Sequence, residues 1–146
     1  MSLRIWENLP EEYRASDDPY EVLNLWRGDI KRLEQRGFRH HLHDRSIDPE
    51  QMVYESLFVK YPNLKTMVKR HTNSSGNSPF VSLTGSLELA QKFSGGCVYN
   101  VQIPAHRLVL SPANSEEIRH IEPLAIGSVL PEEIVSVEFV EAGIGE

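Results

Sequence analysis

A chain of 146 residues, 40% hydrophobic and 25% charged, has the length and balance of one globular domain, with residues 1–19 and 142–146 expected to be peripheral. Its net charge of −6 argues against a general electrostatic grip on nucleic acid and leaves room only for a local basic patch. One cysteine, Cys97, excludes an intramolecular disulfide and fits a reducing compartment; no apolar stretch reaches the ~18 residues of a membrane helix, and no apolar leader follows Met1.

In chain order, Pro10 to Arg14 predicts one helical turn with acidic residues at its positive end. Glu21 to Arg27 reads as a short strand ending at Gly28. Asp29 to Arg36 holds good helix formers, with Gly37 as the C-cap. Phe38 to Arg45 has no period and is expected as a loop. Asp48-Pro49-Glu50 is a helix start: an N-cap aspartate, then proline at the first helical position. That helix is expected to run to Tyr61 and stop at Pro62. Leu64 to Val68 suggests a turn or short helix, and Thr72 to Pro79 a flexible loop.

Phe80 to Ser82 is a short strand, and Ser86 caps a helix over Leu87 to Phe93 that Gly95-Gly96 closes. From Cys97 to Ile103 the side chains alternate, the pattern of a half-buried strand. Further strands are expected over Arg107–Leu110, Glu122–Ile126 and Ile134–Val140, with a loop at 111–118 and a turn at Pro131. Helices mainly in the N-terminal half and strands in the C-terminal half predict an α+β fold with antiparallel sheets. The chain has no Gly-rich phosphate loop of the common types.

Three stretches carry candidate chemistry: Leu25-Trp26-Arg27-Gly28-Asp29, Phe80-Val81-Ser82-Leu83-Thr84 and His120-Ile121-Glu122-Pro123-Leu124. They supply, in order, an arginine, a serine and a glutamate in strand-like contexts. These stretches resemble the R-S-E class of mono-ADP-ribosyltransferases, the group that contains the cholera and heat-labile enterotoxin A subunits and pierisin. The first is similar to the family's aromatic-Arg strand, the second to its Ser-Thr-Ser strand. Glu122 to Pro131 resembles the stretch beginning at the catalytic glutamate. The likeness runs over residues 23–139. Leu83 and Thr84 depart from the serine motif, and the first Glu or Gln of the family's Glu-x-Glu pair falls on His120.

The resemblance implies two small packed antiparallel sheets flanked by helices, with NAD as co-substrate between them and no metal. It implies a transferase acting on a macromolecule, a protein ahead of a nucleic acid, as a bacterial toxin or effector. Such a protein would work in the cytoplasm or in the cytosol of a target cell, without membrane insertion, and an immunity protein or other partner fits that role. Glu122 and His120 are the implied catalytic residues. Arg27, Gly28, Ser82, Thr84 and His71 are the implied NAD-binding residues. Elementary chemistry supports the same division. Breaking the ribose–nicotinamide bond builds positive charge on the sugar, which a fixed carboxylate stabilises. A guanidinium fork holds phosphate as an ammonium does not, and a small hydroxyl orients a carboxylate.

Taken singly, each residue has a plainer reading: Arg27 paired with Asp29, Ser82 bonded to backbone, Glu122 solvated at a strand end. Three other functions stay open: an NAD glycohydrolase, a non-catalytic NAD- or protein-binding module, and a metal-dependent hydrolase built on His40, His41, His43 and Asp44. The spacing of those histidines does not match a closed zinc site. Phe93 and Tyr99 are expected in the core.

Overall fold

The computed structural model describes residues 2–30, 33–40, 47–60, 63–73, 78–92, 94–111 and 122–139. Among the described residues, α-helices are formed by Ser2–Asn8 (α1), Pro49–Ser56 (α2), Leu64–Asn73 (α3) and Leu87–Lys92 (α4). The strands among them are Val22–Asp29 (β1), Phe80–Ser82 (β2), Cys97–Pro104 (β3), Leu108–Ser111 (β4), Glu122–Ile126 (β5) and Ile134–Phe139 (β6). They make two antiparallel sheets of three strands, ordered β1-β3-β6 and β2-β5-β4. This is the α+β architecture that the segregation of elements predicts.

β3 lies at the centre of the first sheet because its alternation is real on one face: Cys97, Tyr99, Val101 and Ile103 are fully buried. It pairs with β1 from Val22↔Pro104 to Asp29↔Cys97. The buried face of the first sheet meets Val81, Leu108 and Ala125 of the second, and Leu83 just after β2, in one core. The opposite face of the second sheet carries Phe80, Val109, Leu124 and Ile126. It packs against Ile5, Val53, Met67 and Val68 of α1, α2 and α3. Each such side chain contributes about 1.5–3 kcal/mol when removed from water. The sheets are also stitched directly: Trp26 and Thr84 exchange backbone N–H···O bonds of 2.8 and 2.9 Å.

Local signals account for several elements. Asp48 Oδ1 accepts the N–H groups of Glu50 and Gln51 at 3.0 and 3.4 Å, with Pro49 opening α2. Ser86 Oγ accepts the Leu89 N–H at 3.2 Å and so caps α4. Other expectations are corrected. Pairing of β1 with β3 continues through Asp29, so the expected helix from Asp29 shrinks to a 3-10 turn at Leu33–Gln35 among the described residues. Gly37 still ends that turn with φ of +77°. α2 stops at Ser56, before Tyr61. α3 extends through Thr72 and Asn73, which composition assigned to a loop. α1 was not anticipated, and its Ile5 is fully buried. β6 is apolar in sequence yet an edge strand, with Val135 and Phe139 exposed.

Candidate active site

Arg27 lies on β1 and pairs across the ladder with Tyr99. Its guanidinium does three things at once. Nε donates to Asp29 Oδ2 at 2.8 Å, and Nη1 donates to the Ser82 carbonyl at 2.8 Å. The same group stands 5.3 Å above the centre of the Phe38 ring, a cation–π distance. Phe38 is itself fixed. Its ring meets Tyr99 edge-on at 5.0 Å, and its backbone exchanges hydrogen bonds of 2.9 and 2.8 Å with Val129. Only glycine fits before it. A Cβ on Gly37 would lie 2.0 Å from the Val129 carbonyl oxygen, and its φ is positive.

Ser82 ends β2 opposite Leu124. Side chains repeat every second residue along a strand, so Glu122, two places before Leu124, shares the Ser82 face. Burial raises the pKa of the Glu122 carboxyl above the ordinary glutamate value, while the nearby Ser82 hydroxyl and the Arg27 charge draw it the other way. A half-buried carboxylate beside a hydroxyl, with a guanidinium near enough to act on it, can stabilise developing positive charge on a bound sugar.

His71 enters the same cluster from α3 and is only 8% exposed. Its Nε2 lies 2.6 Å from Ser82 Oγ, and its Nδ1 lies 2.6 Å from Ser78 Oγ. The ring packs edge-on against Phe80, with centroids 5.9 Å apart. On the far side of β5, Ser111 pairs with Glu122. Its hydroxyl is buried and has no hydrogen-bond partner among the described residues.

The structure therefore brings Arg27, Ser82, Glu122 and His71 together. Thr84 is adjacent, but its hydroxyl accepts the Ser86 N–H at 3.0 Å and so holds the turn before α4. Gly28 pairs with Val98 beside Arg27. His120 lies outside the described residues, as do His41, His43, Asp44 and Phe93. His40 is buried, and its backbone N–H donates to Ser128 Oγ at 3.2 Å. No group of three or more His, Cys, Asp or Glu among the described residues could hold a metal ion. None of the described helices is long and apolar enough to cross a membrane. Tyr99 is a core residue as expected, its hydroxyl donating to the Ile30 carbonyl at 2.6 Å.

The plainer reading of Arg27 is correct about its contact with Asp29, which coexists with the reach to Ser82. Sequence reasoning missed Ser78, Phe38 and Ser111. A signal for α3 was present: Leu64, Met67, Val68 and His71 fall at i, i+3, i+4 and i+7, which places His71 on the buried face.

No family model and no curated protein matches the chain. Solved structures do. The Scabin toxin from Streptomyces scabies in complex with NADH is 15% identical with a TM-score of 0.54, over 94% of this chain and 77% of that one. A guanine-specific ADP-ribosyltransferase is 14% identical with a TM-score of 0.57, over 93% of this chain and 76% of its own. A Scabin variant is 15% identical with a TM-score of 0.55, over 94% and 79%. The fold is that of the Scabin toxin and of the guanine-specific ADP-ribosyltransferase.

Proposed function

We propose that this protein is an NAD-dependent mono-ADP-ribosyltransferase of the R-S-E class, acting as a toxin or effector on a macromolecule in a target cell's cytosol. The observation that carries the reading is the convergence of three residues distant in sequence: Arg27 Nη1 bonds the Ser82 carbonyl, and the Ser82 hydroxyl and Arg27 charge both act on the Glu122 carboxyl. Arg27 is anchored through Nε and Nη1, and Nη2 makes no hydrogen bond among the described residues. That free edge suits a phosphate oxygen of NAD, with Phe38 beneath the guanidinium. Ser82 holds the Glu122 carboxylate toward the nicotinamide ribose. The ribose–nicotinamide bond then breaks, its electron pair leaving on the nicotinamide nitrogen. Glu122 stabilises the resulting ribosyl cation. The acceptor's nucleophile attacks that cation and loses a proton, for which His120 is the implied base. The likeness to toxins, one of them bound to NADH, supports the same reading.

For the acceptor, the resemblance implies a protein first. A similarly folded enzyme described as guanine-specific supports a guanine-bearing acceptor as the second choice. The test is nicotinamide release from NAD by wild type and by Glu122→Ala, followed by transfer of a tagged NAD analogue into lysate separated into protein and nucleic acid. Loss of release in Glu122→Ala, by about a hundredfold or more, is expected. Equal rates would overturn the assignment. Release without a labelled product would identify an NAD glycohydrolase, and neither release nor label a binding module.

A further inference from the structure

Between Glu55 and Glu88 the chain has no acidic residue. Four of the 15 basic residues lie there, Lys60, Lys65, Lys69 and Arg70, and none of the 21 acidic ones. A protein of net charge −6 thus keeps one acid-free, basic stretch. The fold concentrates it on α3. Leu64, Met67, Val68 and His71 take the buried side of that helix. Lys65, Lys69 and Arg70 are exposed on the side turned away from the core, and Lys60 is exposed just before the helix. Helix stability does not account for the arrangement. Lys65 sits in the first turn, where the helix dipole disfavours a cation, and no acid accompanies it. Lys65 and Lys69 are four apart, a like-charge spacing that weakens a helix. A face that is only solvated mixes its signs.

We propose that the outward face of α3, together with Lys60, docks a nucleic-acid acceptor by its phosphates. The inward face of the same helix brings His71 Nε2 to 2.6 Å from Ser82 Oγ. Phosphates held outside therefore lie about one helix diameter (10–12 Å) from the Arg27–Ser82–Glu122 cluster. At that distance an unstacked base of the same strand can enter the site. The composition of the strip separates nucleic acid from protein. Surfaces that bind proteins are depleted in lysine and enriched in aromatic residues, whereas lysine and arginine along one helix face are the footprint of a phosphate backbone. The inference deepens the transferase reading, on which the acceptor role rests, and favours the nucleic-acid acceptor over the protein one. The docking itself needs no activity.

The experiment joins binding to turnover. Its probe is a fluorescent single-stranded oligonucleotide that contains guanine, made as DNA and as RNA. Wild type should bind one or both in 50 mM salt and about fiftyfold more weakly in 200 mM, the loss expected for four phosphate contacts on a single strand. Lys65→Glu/Lys69→Glu should weaken binding about tenfold or more at 50 mM and flatten the salt dependence. Both positions are exposed and glutamate is a good helix former, so the variant should fold. Its release of nicotinamide from NAD without acceptor should stay within about twofold of wild type, while transfer to the oligonucleotide falls with the binding. Arg4→Glu/Lys92→Glu makes the same charge change at exposed positions elsewhere and should bind within about twofold of wild type. Absent or salt-independent binding, or equal losses in the two double variants, would overturn the proposal. So would transfer into lysate protein alone that Lys65→Glu/Lys69→Glu abolishes, because the strip would then serve a protein. Salt-dependent binding that needs Lys65 and Lys69, with no nicotinamide release by wild type, would uphold the docking strip and overturn the transferase reading instead.

Discussion

Arg27–Asp29 and Arg107–Glu133 are both arginine–carboxylate pairs, and their remaining contacts separate them. Around Arg107, Nη1 meets Glu133 and Nη2 donates to the Ser128 carbonyl at 2.9 Å. Glu133 in turn accepts the Leu130 N–H at 2.9 Å. The partners are local, the side chains are only 16% and 14% exposed, and the cluster closes the segment between β5 and β6. Around Arg27 the side chains are 30% and 22% exposed. Two of its nitrogens are fixed and Nη2 is left over among the described residues. An arginine whose two terminal nitrogens are both occupied is a clamp. An arginine pinned along one edge with the other edge spare is preorganised for a ligand. The two are also connected, since Arg107 secures the segment that supplies Val129 to Phe38, and Phe38 supports Arg27.

Replacing the fork by a point charge should separate the two pairs most sharply. Arg27→Lys should lower kcat/KM for nicotinamide release about a hundredfold, close to 2.7 kcal/mol of transition-state binding. Its thermal midpoint should stay within about 2 °C of wild type, because exposed pairs contribute little to stability. A loss under about threefold would remove Arg27 as the NAD anchor.

The mirror-image change is Arg107→Ala. It leaves Glu133 without its cation and the Ser128 carbonyl without this donor, which should cost about 2 kcal/mol of stability. The midpoint would fall by about 4–8 °C for a domain this size. At low temperature, where the variant is folded, its kcat should stay within about threefold of wild type. A larger fall in kcat than in stability would mean that Arg107 reaches the chemistry.

What the sequence shows about this fold depends on how far each signal reaches. The Asp48-Pro49 cap is read correctly because both its partners lie within three residues. The alternation of β3 is legible because one face is fully buried. The expected helix from Asp29 fails because its first residue is claimed by Cys97, distant along the chain. Local propensity does not record such a competitor. α3 runs beyond the expected Leu64–Val68 because His71, a polar residue, is the fourth position of its buried stripe. For the site, Arg27, Ser82 and Glu122 are legible through their short motifs. Ser78 is not, because its stretch is rich in Ser, Asn and Gly and so reads as a loop. Only the packing of α3 against β2 turns it into a buried hydrogen-bonding group.

The smallest expected effect concerns the carboxylate itself. Burial raises the Glu122 pKa in the folded protein, despite Ser82 and Arg27. In the unfolded chain its pKa is about 4.3. Between those two values the folded state holds the proton more tightly than the unfolded state. Stability from this group therefore falls as pH rises through the folded pKa, and at neutral pH the wild type carries a penalty. Glu122→Gln has no such ionisation and leaves an amide oxygen that can accept from Ser82. Thermal melts should thus show the glutamine variant above wild type at pH 7, with the gap closing below about pH 4, where both forms are neutral. Nicotinamide release by the wild type, which needs the ionised form, should lose its acid limb at a pH above the ordinary glutamate value. The same desolvation sets both curves, so they must move together. A stability gap that widens in acid, or an acid limb at or below about pH 4, would mean that Glu122 is an ordinary solvated carboxylate and that the contrast between the two arginines is not one of function.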